Sequence, residues 1–197
     1  CDKTMKLRNK IAIVTGGASG LGKAIVFKFA KLGWKIAVVD INLEGAKTVS
    51  EEANHLNPNA EAIPFYCDIG KDEDFETIAA DLKERWNGLD IIVNNAGIAT
   101  SGMMVDCTPE QWHRAINLNL NSVYRGCNYW LPLISQDGPG HVVNTASAAG
   151  LMKAPSMMSY NVSKAGVVAL SETLYAELAY RNIGVSVICP AFFKTNL

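Results

Sequence analysis

The stretch KIAIVTGGASGLG, residues 10–22, decides the fold that we predict for this chain. Its first half is a short apolar run rich in β-branched residues, which is typical of a buried strand. Its second half places Gly16, Gly20 and Gly22 in a tight turn, from which the helical pattern of residues 21–33 begins. A helix N-terminus offers free N–H groups and the positive end of its dipole to a phosphate. The stretch therefore predicts a strand, a phosphate-binding turn and a helix, although a plain structural turn is the simpler alternative.

The rest of the chain repeats this alternation of short apolar runs with helical patterns. Such alternation favours a parallel sheet that is covered by helices on both faces, an α/β fold. We predict strands at residues 10–16, 35–40, 62–68, 89–97, 141–147 and 183–190, and helices at residues 21–33, 43–56, 73–86, 109–135 and 160–181.

Composition limits the classes of function. The 197 residues, 49% hydrophobic and 19% charged, predict one globular domain, and a net charge of −1 does not favour nucleic acid or an anionic membrane as a partner. No apolar run approaches the length of a membrane span, and none resembles the core of a signal peptide. Five widely spaced cysteines indicate reduced thiols in a cytoplasmic protein, and three histidines without ligand spacing predict no metal site.

Polar residues follow the predicted strands, at the sheet edge where ligands bind in folds of this kind. Asp40 ends the second strand, 20 residues after Gly20. A carboxylate there can accept hydrogen bonds from a ribose 2′-hydroxyl and would repel a 2′-phosphate. Because neither Ser19 nor the residue after Asp40 is basic, we predict NAD rather than NADP as the cofactor. Asp40 is also compatible with a solvated loop charge, and Asp68, after the third strand, is a candidate contact to an adenine edge.

The sequence YNVSK, residues 160–164, places Tyr160 and Lys164 four positions apart, so they share one face of a helix. A free tyrosine has a pKa of about 10, which is too high for an efficient base near neutral pH. A neighbouring ammonium group lowers the pKa of a phenol. The pair therefore predicts a proton-transfer device, with a surface pair as the plain alternative.

These motifs together resemble those of the short-chain dehydrogenase/reductase family, in its compact single-domain form. The resemblance covers essentially the whole chain and rests on the motifs TGGASGLG (15–22), Asp68, NNAG (94–97), NLNLNSVY (117–124), NTAS (144–147) and YNVSK. It implies a three-layer Rossmann fold with a doubly wound parallel sheet. It also implies hydride transfer between NAD(P) and an alcohol or a carbonyl compound.

By motif position, the resemblance implies a catalytic tetrad of Asn119, Ser147, Tyr160 and Lys164. Tyr160 would be the acid/base, Lys164 would activate it and hold the nicotinamide ribose, Ser147 would orient the substrate oxygen, and Asn119 would hold a water of a proton relay. The predicted cofactor-binding residues are Gly16, Ser19, Gly20, Leu21, Gly22, Asp40, Asp68, Ile69, Asn95, Ala96, Gly97, Tyr160, Lys164, Pro190 and Thr195.

The segment after Ser147 is apolar, so we predict a hydrophobic secondary alcohol or ketone as the substrate, unless its methionines are core or interface filler. The predicted substrate contacts are Ser147, Leu151, Met157 and Tyr160, with Ile98, Met103, Met152 and Met158 on the same wall. We also predict a homodimer or homotetramer, as is common in the family. Its contacts would come from apolar residues of the two long helices: Val123, Cys127, Trp130, Leu131, Val167, Leu170 and Leu174.

The chain departs from the family pattern in two places. Ala191 follows Pro190 where the family usually has glycine, and family members usually continue for some tens of residues beyond the position of Leu197. We therefore expect the lid, the last helix and the seventh strand to be missing. Two other functions fit the motifs, a non-catalytic NAD-binding sensor or scaffold and a lyase or epimerase with bound NAD. No G-x-S-x-G turn indicates a serine hydrolase.

Overall fold

A computed structural model describes residues 7, 9–135 and 138–191 of the chain. Its centre is a six-stranded sheet in the order β3-β2-β1-β4-β5-β6, with every neighbouring pair parallel. The strands are Ile11–Thr15 (β1), Lys35–Asp40 (β2), Glu61–Tyr66 (β3), Ile91–Asn94 (β4), Gly140–Thr145 (β5) and Ile183–Ile188 (β6). The order reverses between β1 and β4, so a crevice opens at the carboxyl ends of these two strands.

Helices cover both faces of the sheet. They are Gly20–Lys31 (α1), Leu43–Asn54 (α2), Asp72–Trp86 (α3), Pro109–Ile116 (α4), Ser122–Trp130 (α5) and Met158–Leu178 (α6). Side chains alternate along β1, so Ala12 and Val14 pack in one core cluster, which α1 and α2 cover. Ile11 and Ile13 pack in the other cluster, which α3, α5 and α6 cover. The predicted three-layer α/β architecture is therefore confirmed.

Two predicted elements differ from the structure. The helix predicted at residues 109–135 is two helices, α4 and α5, joined by a π-helical turn at Asn117–Asn121 and followed by a 3₁₀ turn at Leu131–Leu133. The strand predicted at residues 89–97 ends at Asn94, because the next backbone N–H groups leave the sheet ladder. Those of Asn95 and Ala96 donate instead to the side-chain oxygen of Thr15, at 2.9 and 3.0 Å.

The surface predicted for subunit contacts is partly wrong. Val123, Trp130 and Val167 are at most 1% exposed and belong to the core of this chain. Trp130 stacks on Phe75 with ring centroids 4.8 Å apart, and its indole N–H donates to the Phe75 carbonyl at 3.2 Å. These side chains face the sheet because they lie on the inner stripes of α5 and α6. The predicted contacts Leu131, Leu170 and Leu174 keep part of their surface exposed.

Within the described ranges, the structure contains no helix with both the length and the apolar character that crossing a membrane requires.

Candidate active site

A cavity of about 260 Å³ opens at the carboxyl ends of β1, β4 and β5. Eleven of the predicted site residues line it: Gly16, Ser19, Gly20, Leu21, Asn95, Ala96, Gly97, Ser147, Tyr160, Lys164 and Pro190. Ile98, Ala99, Thr145, Ala146 and Ala191 complete the lining. The other predicted site residues that the structure describes do not line it: Gly22, Asp40, Asp68, Ile69, Asn119, Leu151 and Met157. Thr195 lies outside the described residues.

The glycine-rich turn requires its glycines for backbone reasons. Gly16 and Gly20 adopt φ angles of +66° and +51°, in the left-handed region that side chains disfavour. A Cβ at Gly22 would lie 2.0 Å from the carbonyl oxygen of Gly16, so the first turn of α1 packs directly on the turn. Within the described residues, the side chain of Ser19 makes no capping bond to α1. The turn therefore leaves the helix N-terminus open toward the cavity, a cradle that fits a pyrophosphate.

Asp40 is held at the end of β2 by two backbone groups. Its Oδ2 accepts from the N–H of Ala18 at 3.0 Å, and its Oδ1 accepts from the N–H of Asn42 at 2.9 Å. The first bond ties the carboxylate to the glycine-rich turn, at the border of the cavity. An ionised carboxylate has about four acceptor positions, so both oxygens can still accept a ribose hydroxyl.

Asp68 lies at a separate cavity of about 720 Å³, which Ile41, Gly70 and Asn117 also line. Its Oδ1 accepts from the N–H of Gly70 at 2.9 Å, and its own N–H donates to Asp74 at 2.7 Å. The carboxylate therefore first stabilises its own turn. Because Ile41 directly follows Asp40, this second cavity continues the line of predicted cofactor residues along the sheet edge.

Asn119 lies in the π-helical turn and is fully buried. Its Oδ1 accepts from the N–H of Ile98 at 2.7 Å, and its Nδ2 donates to the carbonyl of Ile98 at 3.0 Å. A Cβ at Gly97 would lie 2.8 Å from the same Oδ1 and 3.5 Å from Nζ of Lys164. The Asn119 amide thus binds the loop after β4, and it holds that loop close to Lys164.

Tyr160 and Lys164 lie in the first two turns of α6 and both reach the cavity. Nζ of Lys164 lies 5.8 Å from the centroid of the Tyr160 ring and donates to the carbonyl of Thr145 at 2.9 Å. Lys164 is 4% exposed, and its burial lowers the pKa of the ammonium group to about 8. Below that pH the site therefore holds a positive charge beside the phenol.

Ser147 ends the loop after β5 and caps a short 3₁₀ turn. Its Oγ accepts from the N–H of Ala149 at 3.2 Å, so Ser147 also has a structural role in this turn. The bond uses an acceptor position only, and the hydroxyl proton of Ser147 stays available to an oxygen in the cavity.

Of the predicted substrate wall, Ile98 lines the cavity, whereas Leu151, Met152, Met157 and Met158 do not. Leu151 is 61% exposed, and Met157 pairs with Gly102 in an isolated parallel bridge. This bridge joins the loop after β4 to the loop before α6, with the N–H of Gly102 donating to the Ser156 carbonyl at 2.8 Å. Met103, Met104 and Val105 on the first of these loops, and Leu151 and Met152 on the second, are exposed apolar side chains, and we call this group the apolar rim.

A small cavity of about 190 Å³ adjoins this rim and shares Ile98 with the larger one. Its lining includes Met158 from the predicted wall, but also Thr100, Gln111 and Arg114. The surroundings of the candidate site are therefore more polar than the sequence predicted. Among the described residues, no three His, Cys, Asp or Glu side chains lie together as metal ligands would.

Several residues that shape the site were missed by sequence reasoning. Thr15 binds the loop after β4 through its hydroxyl, and the carbonyl of Thr145 holds Lys164. Arg125 reaches two backbone carbonyls next to the second cavity, those of Ile69 and Asn117. A threonine at the end of a strand, followed by a glycine turn, is the one pattern that could have indicated such a role, for Thr15.

The sheet order and the glycine-rich turn after β1 define a Rossmann-type dinucleotide-binding fold. Residues 10–197 match the sequence model of the short chain dehydrogenases. The chain belongs to the short-chain dehydrogenase/reductase family and is an oxidoreductase of that family.

Individual relatives support the same assignment. The chain is 31% identical over 193 residues to a 3-oxoacyl-acyl-carrier-protein reductase of Thermotoga maritima, covering 98% of this chain and 78% of the relative. It is 34% identical to a cyclohexanol dehydrogenase of an Acinetobacter species, covering 98% of this chain and 76% of the relative. A solved structure of a short-chain dehydrogenase/reductase from Burkholderia phymatum, in complex with NAD, superposes with a TM-score of 0.91. That structure is 32% identical, and the match covers 98% of this chain and 69% of the other.

The lowered pKa of Lys164 predicts a change of stability with pH. Between about pH 8 and the ordinary lysine pKa of 10.5, the unfolded chain keeps this proton and the folded chain releases it. The state that binds more protons is disfavoured as the pH rises, so the destabilisation that comes from burying the charged Lys164 is progressively relieved over this window. Relative to Lys164→Met, the wild-type free energy of unfolding should rise by roughly 2–3 kcal/mol from pH 7 to pH 10.

Urea unfolding of both proteins at the two pH values measures this difference, because the other titrating groups cancel between them. A difference that is independent of pH would show that Lys164 keeps an ordinary pKa in the folded state.

Proposed function

We propose that this chain is an NAD-dependent dehydrogenase that interconverts a secondary alcohol and a ketone, with Tyr160 as the acid/base. The observation that carries the proposal is that Ser147, Tyr160, Lys164 and the glycine-rich turn line one cavity. NAD, when bound, accepts the hydride from the alcohol carbon. The residues of this chain would bind the two reactants, exclude water and move the hydroxyl proton.

The proton steps follow from the contacts in the cavity. The phenol oxygen of Tyr160 would take the hydroxyl proton as the alcohol is oxidised, and would return it in the reverse direction. Lys164, charged below a pKa of about 8, favours the phenolate form of its neighbour. Ser147 would donate its free hydroxyl proton to the substrate oxygen, which fixes the orientation of that oxygen.

The role of Asn119 is better described as positioning than as a direct relay. Both ends of its amide bind Ile98, and Nδ2 also approaches Oγ of Ser163 at 3.4 Å. A relay water at this residue would therefore use the main-chain carbonyl. We assign to the side chain the task of holding the loop of Ile98 against Lys164.

The cofactor would lie along the sheet edge, from the second cavity to the first. The glycine-rich turn would bind the pyrophosphate, and Asp40 would bind the adenosine ribose. Ala96 and Gly97 have small side chains, so the nucleotide could lie directly against their backbone. Asp68 and Ile69 would face the adenine. The match to a solved relative that contains NAD supports this assignment of the cofactor class.

The substitution Tyr160→Phe tests the proposed function. Removal of the phenol oxygen leaves the glycine-rich turn, Asp40 and Lys164 in place for the nucleotide and should lower kcat by about 100-fold or more, the contribution of a general acid/base. NADH formation, measured with a panel of secondary alcohols, reports turnover, and titration with NAD reports binding.

Undiminished turnover in Tyr160→Phe would exclude Tyr160 as the acid/base. Tight NAD binding without turnover by the wild type on any substrate would instead favour the sensor or scaffold. Conversion of a substrate without release of NADH would favour the lyase or epimerase.

For the substrate we propose a hydrophobic secondary alcohol or ketone. The apolar rim of Met103, Met104, Val105, Leu151 and Met152 supports this class. So do relatives named cyclohexanol dehydrogenase and 3alpha-hydroxysteroid dehydrogenase, whereas another relative is named NAD-dependent glycerol dehydrogenase. Activity in the same panel on polyols alone would contradict the proposal.

For the cofactor we propose NAD in preference to NADP, because the carboxylate of Asp40 would repel a 2′-phosphate. The substitution Asp40→Ser should raise KM for NAD about tenfold and lower KM for NADP, which moves the ratio of the two kcat/KM values toward NADP. Glu51→Ser removes an exposed carboxylate from α2 and is the matched control. Equal use of both cofactors by the wild type would contradict the preference.

We propose that the protein is a homodimer or homotetramer that uses the groove between α5 and α6. The groove measures about 480 Å³ and exposes apolar parts of Leu131, Leu170 and Leu174. Leu174→Glu places a charge in it and should reduce the mass measured by light scattering to that of a monomer. Leu32→Glu, at an exposed site after α1, should keep the oligomer. A monomeric wild type would exclude the proposal.

A further inference from the structure

Arg125 is a mostly buried arginine that does not reach the candidate active site. Its side chain is 11% exposed, although it carries a permanent charge. Nη1 donates to the carbonyl of Ile69 at 3.3 Å and to the carbonyl of Asn117 at 3.4 Å. Nε lies 3.2 Å from Oδ1 of Asp72, which also accepts from the hydroxyl of Tyr129 at 3.4 Å.

The two carbonyls belong to two segments of the chain that meet at the second cavity. Ile69 lies between Asp68 and Gly70 in the turn after β3, and Asn117 begins the π-helical turn. Asp68, Gly70 and Asn117 line this cavity, whereas Arg125 does not. Arg125 joins the two segments through the carbonyls of Ile69 and Asn117. A further bond between the segments runs from Nδ2 of Asn117 to the carbonyl of Gly70, at 3.4 Å.

The geometry of the guanidinium group favours the carbonyls over the carboxylate. Within the described residues, Nε finds no partner with hydrogen-bond geometry, so its attraction to Asp72 is ionic only. A buried charge is expensive unless it is paired, and an apolar residue of similar size is often at least as stable in its place. An arginine at this position therefore needs a reason other than packing, and the two bridged carbonyls supply one.

We propose that Arg125 is a positioning residue for the adenine half of the dinucleotide. It fixes the turn of Asp68 and Ile69 against the π-helical turn, and so sets the shape of the cavity that both turns line. The inference rests on the proposed function, because that function assigns the adenine to this cavity.

The proposed nicotinamide site has contacts of its own that do not involve Arg125, although Asn119 shares the π-helical turn with Asn117. Asn119 is tied to Ile98 by two bonds of 2.7 and 3.0 Å, and Lys164 is tied to Thr145. Loss of Arg125 should therefore widen or loosen the adenine cavity, while the contacts around Tyr160 and Lys164 stay in place.

The experiment compares Arg125→Met and Arg125→Lys with the wild type. ADP-ribose and nicotinamide mononucleotide are titrated by calorimetry, and kcat and KM for NAD are measured on one alcohol. We expect Arg125→Met to weaken the binding of ADP-ribose about tenfold and to raise KM for NAD by a similar factor. Affinity for nicotinamide mononucleotide and kcat at saturating NAD should change less than about twofold. Arg125→Lys keeps the charge but loses the planar guanidinium that places Nη1 between the two carbonyls and Nε beside Asp72, so its losses should be intermediate.

Arg85→Met is the matched control, because Arg85 pairs with Asp81 on the exposed side of α3 and should leave all four quantities unchanged. Equal losses for both nucleotide fragments, or no loss for either, would overturn the proposal. If Arg125→Met fails to fold, Arg125→Lys decides by the same comparison. A wild type that does not bind ADP-ribose would refute the proposed function itself, which separates the two failures.

Discussion

The hydrogen bonds of Thr15 are the constraint on which the crevice depends. The side chain is buried at the carboxyl end of β1, and its oxygen accepts from the N–H groups of Asn95 and Ala96. Its carbonyl accepts from Nδ2 of Asn95 at 3.0 Å. These bonds turn the chain away from the sheet after β4, while the glycine-rich turn leaves β1 in the other direction. Both walls of the candidate site are thus attached to one residue.

Much of this architecture could be predicted from the sequence, because unbroken apolar strands and glycine turns are local patterns. The π-helical turn could not be predicted. The apolar spacing across residues 109–135 fits one continuous α-helix. The wider π-helical turn is instead explained by a tertiary contact, because it places the Asn119 side chain against the backbone of Ile98. The early end of β4 also comes from a tertiary contact, because the backbone N–H of Asn95 donates to the hydroxyl of Thr15 and not to a neighbouring strand.

The side of a helix that meets a partner is equally hard to read from one sequence. Leu174 and Val167 are both apolar residues of α6, yet Val167 is fully buried against the sheet and Leu174 is half-buried at the groove. Burial in the core and burial in a subunit interface both favour an apolar residue, so the residue type alone does not distinguish them. The motifs performed better, since eleven predicted residues line one cavity, whereas Leu151 and Met157 do not. A polar motif at the end of a strand therefore indicates a ligand site more specifically than an apolar residue in a loop, which can equally serve the core or a subunit contact.

The buried polar side chains around the crevice share one arrangement. Asn119, Lys164 and Arg125 are each mostly buried, and each binds a backbone carbonyl at the end of a strand or in a loop: that of Ile98, Thr145 or Ile69. Burial is unfavourable for Lys164, as its lowered pKa records. A core built only for stability would use apolar residues at these positions. Their presence around one edge of the sheet therefore argues that the fold accepts this loss of stability in order to fix the strand ends and loops that bind a ligand.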